Sequence, residues 1–243
     1  YCCSSLTSVD LSNCTSIGSE AFSHCSSLTS VDLSNCTSIG SRAFYYCSSL
    51  TSVGSLAKLT AIPDNAFSGC SSLKLIEDFS KIVSIGDEAF AGNSYAVFTI
   101  TNETPPTVGN GCFARNTLIK VPENLVTTYQ TADGWENYAL QIISTTAQTD
   151  YDITTDLDNS KDIYTIVGEN NLRNVVNLKV SGDIASFDVL MIRSKTPNLH
   201  YLDLTDANFI ARDGDKPYYE GYVTIDNAIN DYSFYNLDKL IEV

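Results

Sequence analysis

The sequence predicts an α/β repeat solenoid, mainly short parallel strands with short outer helical turns, on three observations. First, LTSVDLSNCTSIGSEAFSHCSS from Leu6 returns as LTSVDLSNCTSIGSRAFYYCSS from Leu28, a period of 22 residues. A period of this size means that each unit buries its apolar face only against its neighbours, so the units stack. Second, each unit opens on an apolar skeleton, Leu6-Val9-Leu11 and then Leu28-Val31-Leu33. Third, Cys3, Cys25, Cys47 and Cys70 recur once per unit, at intervals of 22, 22 and 23. A stack of this kind displays one residue per rung along an extended surface, which suits recognition better than chemistry.

Within a unit, the last two apolar positions of L-x-x-V-x-L alternate with polar ones, the pattern of a short strand with one buried face. A turn follows at Ser12-Asn13, where Asn tolerates tight backbone geometry. Ile17-Gly18 comes next, and Ala21-Phe22 reads as the inward side of a short helical turn. Phe22, Phe44, Phe67 and Phe90 should then pile up as an aromatic spine. Units three and four keep the skeleton: Leu50, Val53, Leu56, Leu59, Ile62, Ala66 and Phe67, then Leu73, Ile76, Phe79, Ile82, Ile85, Ala89 and Phe90. A fifth unit is degenerate. Phe98 and Ile100 alternate with threonines, Pro105-Pro106 interrupts, and Val108-Gly109 with Cys112-Phe113 recovers the signature.

Residues 115–145 change character. Pro122 suits a first helical turn, Leu125, Val126 and Tyr129 share a helical face, and Trp135, Tyr138 and Ile142 form a second apolar cluster. This segment is expected to cap the array, because an uncapped last rung would expose core. The expected domains are therefore 1–145, the array with its cap, and 146–243, a capping segment leading into a second array, with a polar linker at Thr145 to Asp150. In the second half, Ile163, Ile166 and Val167 suggest a short helix, and Leu178-Lys179-Val180 a strand ending at Ser181-Gly182. Phe187, Leu190 and Met191 lie at helical spacing and read as core. Leu199-His200-Tyr201-Leu202-Asp203-Leu204 is L-x-x-L-x-L again. INDYSFYNLDKLIEV from Ile229 matches IGSRAFYYCSSLTSV from Ile39 position by position, the expected start of a second array. Tyr1-Cys2-Cys3 aligns with Tyr45-Tyr46-Cys47, so further sequence is expected before it in the natural protein.

The net charge is −15. An acidic surface repels phosphate backbones and anionic lipid, so neither nucleic acid nor a membrane surface is expected as a partner. No apolar run approaches the ~20 residues that cross a bilayer. The cysteines read as a packing ladder of free buried thiols. Rungs about 5 Å apart allow a disulfide by distance, but parallel side chains give a poor torsion. Zinc would need short ligand spacings, and the sequence holds no Cys-x-x-Cys pair. In the second cysteine register, Leu59 and Ile82 take the place of Cys14 and Cys36, so that position is used for volume.

Little points to catalysis. His24 aligns with Tyr46, Gly69 and Gly92 and reads as exposed and unconstrained, while His200 near Asp203 is the one conceivable base. Counting a calcium loop from Asp156 puts Lys161 and Val167 where Gly and Glu are needed, so it fails. No catalytic residues, metal site or cofactor are expected. The candidate site is the concave strand face. With Val9 and Leu11 inward, Ser8 and Asp10 point outward, joined by Ser30, Asp32, Ser52, Glu77, Tyr201 and Asp203. Hydroxyls beside acids suit a basic or sugar-bearing partner.

The skeleton L-x-x-V-x-L…I-G-x-x-A-F-x-x-C-S-S-L resembles the BspA-like leucine-rich repeats, also called the Treponema pallidum type. TPPTVGNGCFARNTLIKVPENLVTTYQTADGWENYA is similar to the segment that closes such arrays, and LKVSGDIASFDVLMIRSKTPNLHYLDLTDANF resembles the segment that precedes them in Bacteroides-type surface proteins. The resemblance implies a right-handed horseshoe or solenoid, export to the bacterial cell surface, and adhesion to a host or neighbouring-cell protein or glycan. Some members are reported to bind host matrix proteins. The order of the two segments departs from the family pattern and requires two arrays in tandem. A structural spacer carrying another domain away from the cell is the alternative.

Overall fold

A computed structural model describes residues 3–115, 117–157 and 160–210. The repeat match read at 229–243 lies outside them. The chain divides into two compact units, residues 1–146 and 147–243, each described by itself.

In the first unit, β1 (Ser16–Ile17), β2 (Ser38–Ile39), β3 (Ala61–Ile62), β4 (Leu75–Ile76), β5 (Ser84–Ile85), β6 (Val97–Thr99), β7 (Thr107–Val108), β8 (Leu118–Val121) and β9 (Ile142–Ser144) all pair in parallel. They fall into two ladders. The expected one, at the V-x-L position, starts as single bridges Ser8–Ser30–Ser52 and continues as β4-β6-β8-β9. The other, at the Ile-Gly position, comprises β1-β2 and β3-β5-β7. Strands of two residues suffice because 22 residues must bend round one whole coil before returning to register.

The Ala-Phe segment is not a helical turn. Glu20, Phe22 and His24 donate their N–H groups to the carbonyls of Ser41, Ala43 and Tyr45 one rung on, while Ala21, Ser23 and Cys25 donate to Gly18, Glu20 and Phe22 in their own rung. An α-helix would use every N–H inside its own turns. Here alternate ones tie rung to rung, so this side is a stack of turns that acts as a third ladder. Left-handed backbone at Glu20, His24, Arg42 and Tyr46, with φ between 55° and 58°, makes the alternation possible.

The core follows the repeat columns. Phe22, Phe44, Phe67 and Phe90 stack at 5.4 Å between centroids, and Phe113 continues the column at 5.9 Å. Cys25, Cys36, Cys47, Cys70 and Cys112 are buried, and the described cysteines are free thiols. Cys47 and Cys70 donate to the carbonyls of Phe22 and Phe44 at 3.0 and 3.1 Å. Leu59 and Ile82 are fully buried where Cys36 is in its rung.

Residues 123–138 form two short 310 turns, Glu123–Leu125 and Trp135–Tyr138, around α1 (Val126–Thr131). Trp135 is fully buried and donates from Nε1 to the Pro106 carbonyl at 2.7 Å. Gln130 Nε2 donates to the carbonyls of Ala139 and Ile142, both at 3.1 Å.

The second unit alternates strand and helix: β10 (Asp150–Thr155), α2 (Ile163–Val167), α3 (Glu169–Leu172), β11 (Asn177–Ile184), α4 (Ser186–Lys195), β12 (Tyr201–Asp203) and β13 (Ala207–Phe209). The sheet is parallel, ordered β10-β11-β12, with β13 also on β11. Two expectations are corrected. β11 does not stop at Gly182 but runs on to Ile184. Helix α4 buries Val189, Ile192 and Met191, whereas Phe187 is exposed, because Asp188 turns inward and accepts the N–H groups of Ile163 and Ala185. His200, the conceivable base, is buried.

Candidate binding surface

The eight residues read from the sequence fall into three settings. Ser8, Ser30 and Ser52 are exposed and follow one another along the first ladder. The neighbouring threonines are tied down: Thr29 Oγ1 donates to the Thr7 carbonyl at 3.2 Å and Thr51 Oγ1 to that of Thr29 at 2.9 Å. Two residues along from Ser8 and Ser30, Asp10 and Asp32 are exposed and each serves its own turn. The N–H groups of Ser12 and Ser34 donate to their Oδ1 atoms at 2.9 Å. Those hydrogen bonds, from the Ser12 hydroxyl and N–H to Asp10 and from the Ser34 N–H and hydroxyl to Asp32, hold both carboxyls below the ordinary range. The acids therefore stay charged while closing turns.

The acidic column then breaks. Gly54 (φ 68°) takes the next place, and a Cβ there would lie 2.7 Å from Asp32 Oδ1. Glu77 resumes the column, exposed, but beside it the serine column has become Leu75, 54% exposed, so the ladder changes from hydroxyl to apolar between Ser52 and β4. Tyr201 and Asp203 lie on β12 of the second unit, level with Asn177 and Lys179. There Lys179 Nζ lies 4.0 Å from Asp203 and 3.3 Å from Asp206. Asp203 also accepts the Thr205 N–H at 2.9 Å, and its carboxyl is lowered by Thr205 first and Lys179 second.

A second cluster, on the turn side, escaped the sequence reading. His24 is exposed but not unconstrained: it stacks on Tyr46 at 5.4 Å and 15°, and meets Tyr45 edge-on at 5.4 Å and 86°. The Tyr46 ring in turn covers Gly69, where a Cβ would come within 3.0 to 3.2 Å of it. Arg42 lies over the Tyr45 ring at 5.8 Å and 3.7 Å from Glu20. The signal was present in the repeats, whose two copies from Leu6 and Leu28 differ only at Glu20/Arg42, Ser23/Tyr45 and His24/Tyr46.

Among the described residues no group of His, Cys, Asp and Glu could hold a metal ion, and no helix is long and apolar enough to cross a membrane.

Parallel pairing of equivalent residues, rung upon rung, defines a parallel-stranded repeat protein. The profile of the BspA type leucine-rich repeat region matches residues 1–127 in 6 copies. The chain belongs to that family. Among solved structures it is similar to a leucine-rich cell surface protein from Faecalibacterium prausnitzii A2-165, at 26% identity and a TM-score of 0.35, over 55% of this chain and 30% of that one. It is also similar to a leucine-rich repeat protein from Bacteroides ovatus ATCC 8483, at 22% identity and a TM-score of 0.35, over 79% of this chain and 45% of that one. The chain thus spans less than half the length of either. No curated protein matches it.

Proposed function

We propose that the chain is an extracellular binding or adhesion module that recognises a protein or glycan of a host or neighbouring cell through its repeat surface, without turnover. Family membership supports this reading, since the BspA-like resemblance implies export and adhesion. The observation that carries it is the exposed serine ladder Ser8–Ser30–Ser52 with Asp10 and Asp32 alongside, ordered by parallel pairing and by their own turns. A surface held rigid before contact loses little conformational freedom on binding. Nucleic acid and membrane are not partners in this reading, given the net charge of −15.

Within it the array coils right-handed and residues 115–145 close its end. The Gln130 amide, bonded to the Ile142 carbonyl on the last strand of the ladder, suits that closing role. Residues 146–243 lead into a second array. The test is an array of matrix proteins and glycans probed with the intact chain and with Ser30→Lys. Binding that Ser30→Lys weakens supports the ladder as the contact surface. No binding by the folded chain favours the second reading, a structural spacer, which the near-identity of the first two repeats supports.

A further inference from the structure

The two repeats from Leu6 and Leu28 agree at 19 of 22 positions, and the three that differ converge on one spot. Thr7, Ser8, Asp10, Asn13, Thr15 and Ser16 are exposed too, and all six are unchanged in the second copy. Drift at tolerant surface positions would scatter over such residues. Instead Glu20, Ser23 and His24 become Arg42, Tyr45 and Tyr46. All but Tyr46 line, with Ser19, a surface hollow of about 440 Å³, and Tyr46 backs it by stacking on His24 at 5.4 Å. Small-ligand sites run from about 300 to 1,000 Å³.

The backbone strengthens the case. Tyr46 (φ 55°) and His24 (φ 58°) sit in the left-handed region, where the equivalent residues of the next two rungs are Gly69 and Gly92. A tyrosine at such a position is held against its conformational preference, and residues held that way gather at functional sites.

We propose that this aromatic and charged hollow on the turn side of the first two repeats is a binding site for a neutral carbohydrate. The site rests on the binding-module reading but lies away from the strand ladder. The charge of Arg42 is already answered by Glu20 at 3.7 Å, so an anion would have to break that pair. Arg42 already lies over the Tyr45 ring at 5.8 Å, so a second cation brought there would meet a like charge. What the hollow offers is a ring pair, His24 against Tyr45, with hydroxyls at Ser19 and Ser23 and a carboxylate and a guanidinium side by side. A pyranose matches this set: its C–H face carries partial positive charge that meets the negative faces of aromatic rings, and its vicinal hydroxyls both donate and accept.

The experiment probes the intact 243-residue chain against immobilised neutral oligosaccharides: cello-, malto-, manno-, galacto- and N-acetylglucosamine oligomers. At least one binds. Tyr45→Ser with Tyr46→His installs residues that the first repeat already carries, so the variant folds and binds at least roughly tenfold more weakly. Tyr46→Gly, the residue of the next two rungs, weakens binding equally while the Tm is unchanged or raised. If no oligosaccharide binds, or if these variants bind like the parent, the proposal is overturned. Loss in Ser30→Lys alone also overturns it, while keeping the binding-module reading with the ladder as its site. Binding of a matrix protein without any sugar leaves that reading standing and removes this one.

Discussion

Phe44 and Phe67 stand one above the other with centroids 5.4 Å apart and planes 2° from parallel, and both are fully buried. Their backbones are joined to the next rung in the same way, Phe44 N–H to Ala66 and Phe67 N–H to Ala89. The side-chain column and the backbone ladder therefore share one register, and a gap in either is felt by two neighbouring rungs.

Phe67→Ala should cost about 3–5 kcal/mol, since it removes a fully buried ring that contacts a ring on each side. Phe22→Ala should cost less, because Phe22 is only partly buried and has one stacked neighbour among the described residues. Urea denaturation of the two variants checks the order, and equal losses would contradict nearest-neighbour coupling.

The thiols should be silent in the folded protein. Burial pushes Cys47 up to about 12 and Cys112 to about 11, and raises Cys70 further still. The thiolate is the reactive form, so a thiol reagent at pH 8 should label Cys47, Cys70 and Cys112 only after denaturation. The same shifts set a pH dependence. Unfolded thiols ionise near 9 and the folded Cys47 not until about 12. Their contribution to stability is thus intact below pH 9 and lost as the pH rises across that interval. A denaturation midpoint that stayed level from pH 8 to 11 would count against this.

Asn93 occupies the next place after Cys70 in the cysteine column, is fully buried, and has neither amide atom hydrogen-bonded. An unsatisfied buried amide costs on the order of 1–3 kcal/mol. In the rungs before it, Cys47 and Cys70 each donate Sγ–H to the phenylalanine carbonyl 25 or 26 residues earlier. Asn93→Cys would reach the Phe67 carbonyl in the same way, and should raise stability by about 1 kcal/mol or more. Chemical denaturation under reducing conditions measures it, and a loss would show that the amide has a role in its pocket.

How much of this was legible follows from where periodicity speaks. The stacking of Phe22 to Phe90 and the burial of Cys25 to Cys70 could be read because identical residues at a fixed period must share an environment. The third ladder could not. Its left-handed residues are Glu20, His24, Arg42 and Tyr46, side chains that give no local cue; the cue lay in aligning them with Asn65, Gly69 and Gly92. β10 was hidden by its charge: Asp150, Asp152 and Thr154 face outward in alternation with Tyr151, Ile153 and Thr155, and the first of these looked like linker. Among candidate site residues, the serines were placed by the strand pattern. The alternation also puts Asp10 and Asp32 on the outward face, but their bonds to the turn two residues on depend on backbone geometry that spacing does not carry.

Gly182 is where the second unit leaves least room. β11 passes through it at φ 84°, level with Thr155 on β10, and from it the strand continues beside Ala207–Phe209. A Cβ at this residue would collide with the Thr155 carbonyl. Gly182→Ala therefore meets two obstacles at once, a backbone conformation that L residues rarely adopt and a backbone neighbour that cannot swing aside as a side chain would. The strain should separate β10 from β11 at this end, expose Ile153 and Ile184, and destabilise by several kcal/mol, on the order of 2–4. Because the first 146 residues form a separate compact unit, the emission of Trp135, the one tryptophan of the chain, should keep its own unfolding midpoint in this variant. Circular dichroism of the whole chain should meanwhile show an earlier transition. A single shared transition that moved both signals together would mean that the two units unfold as one.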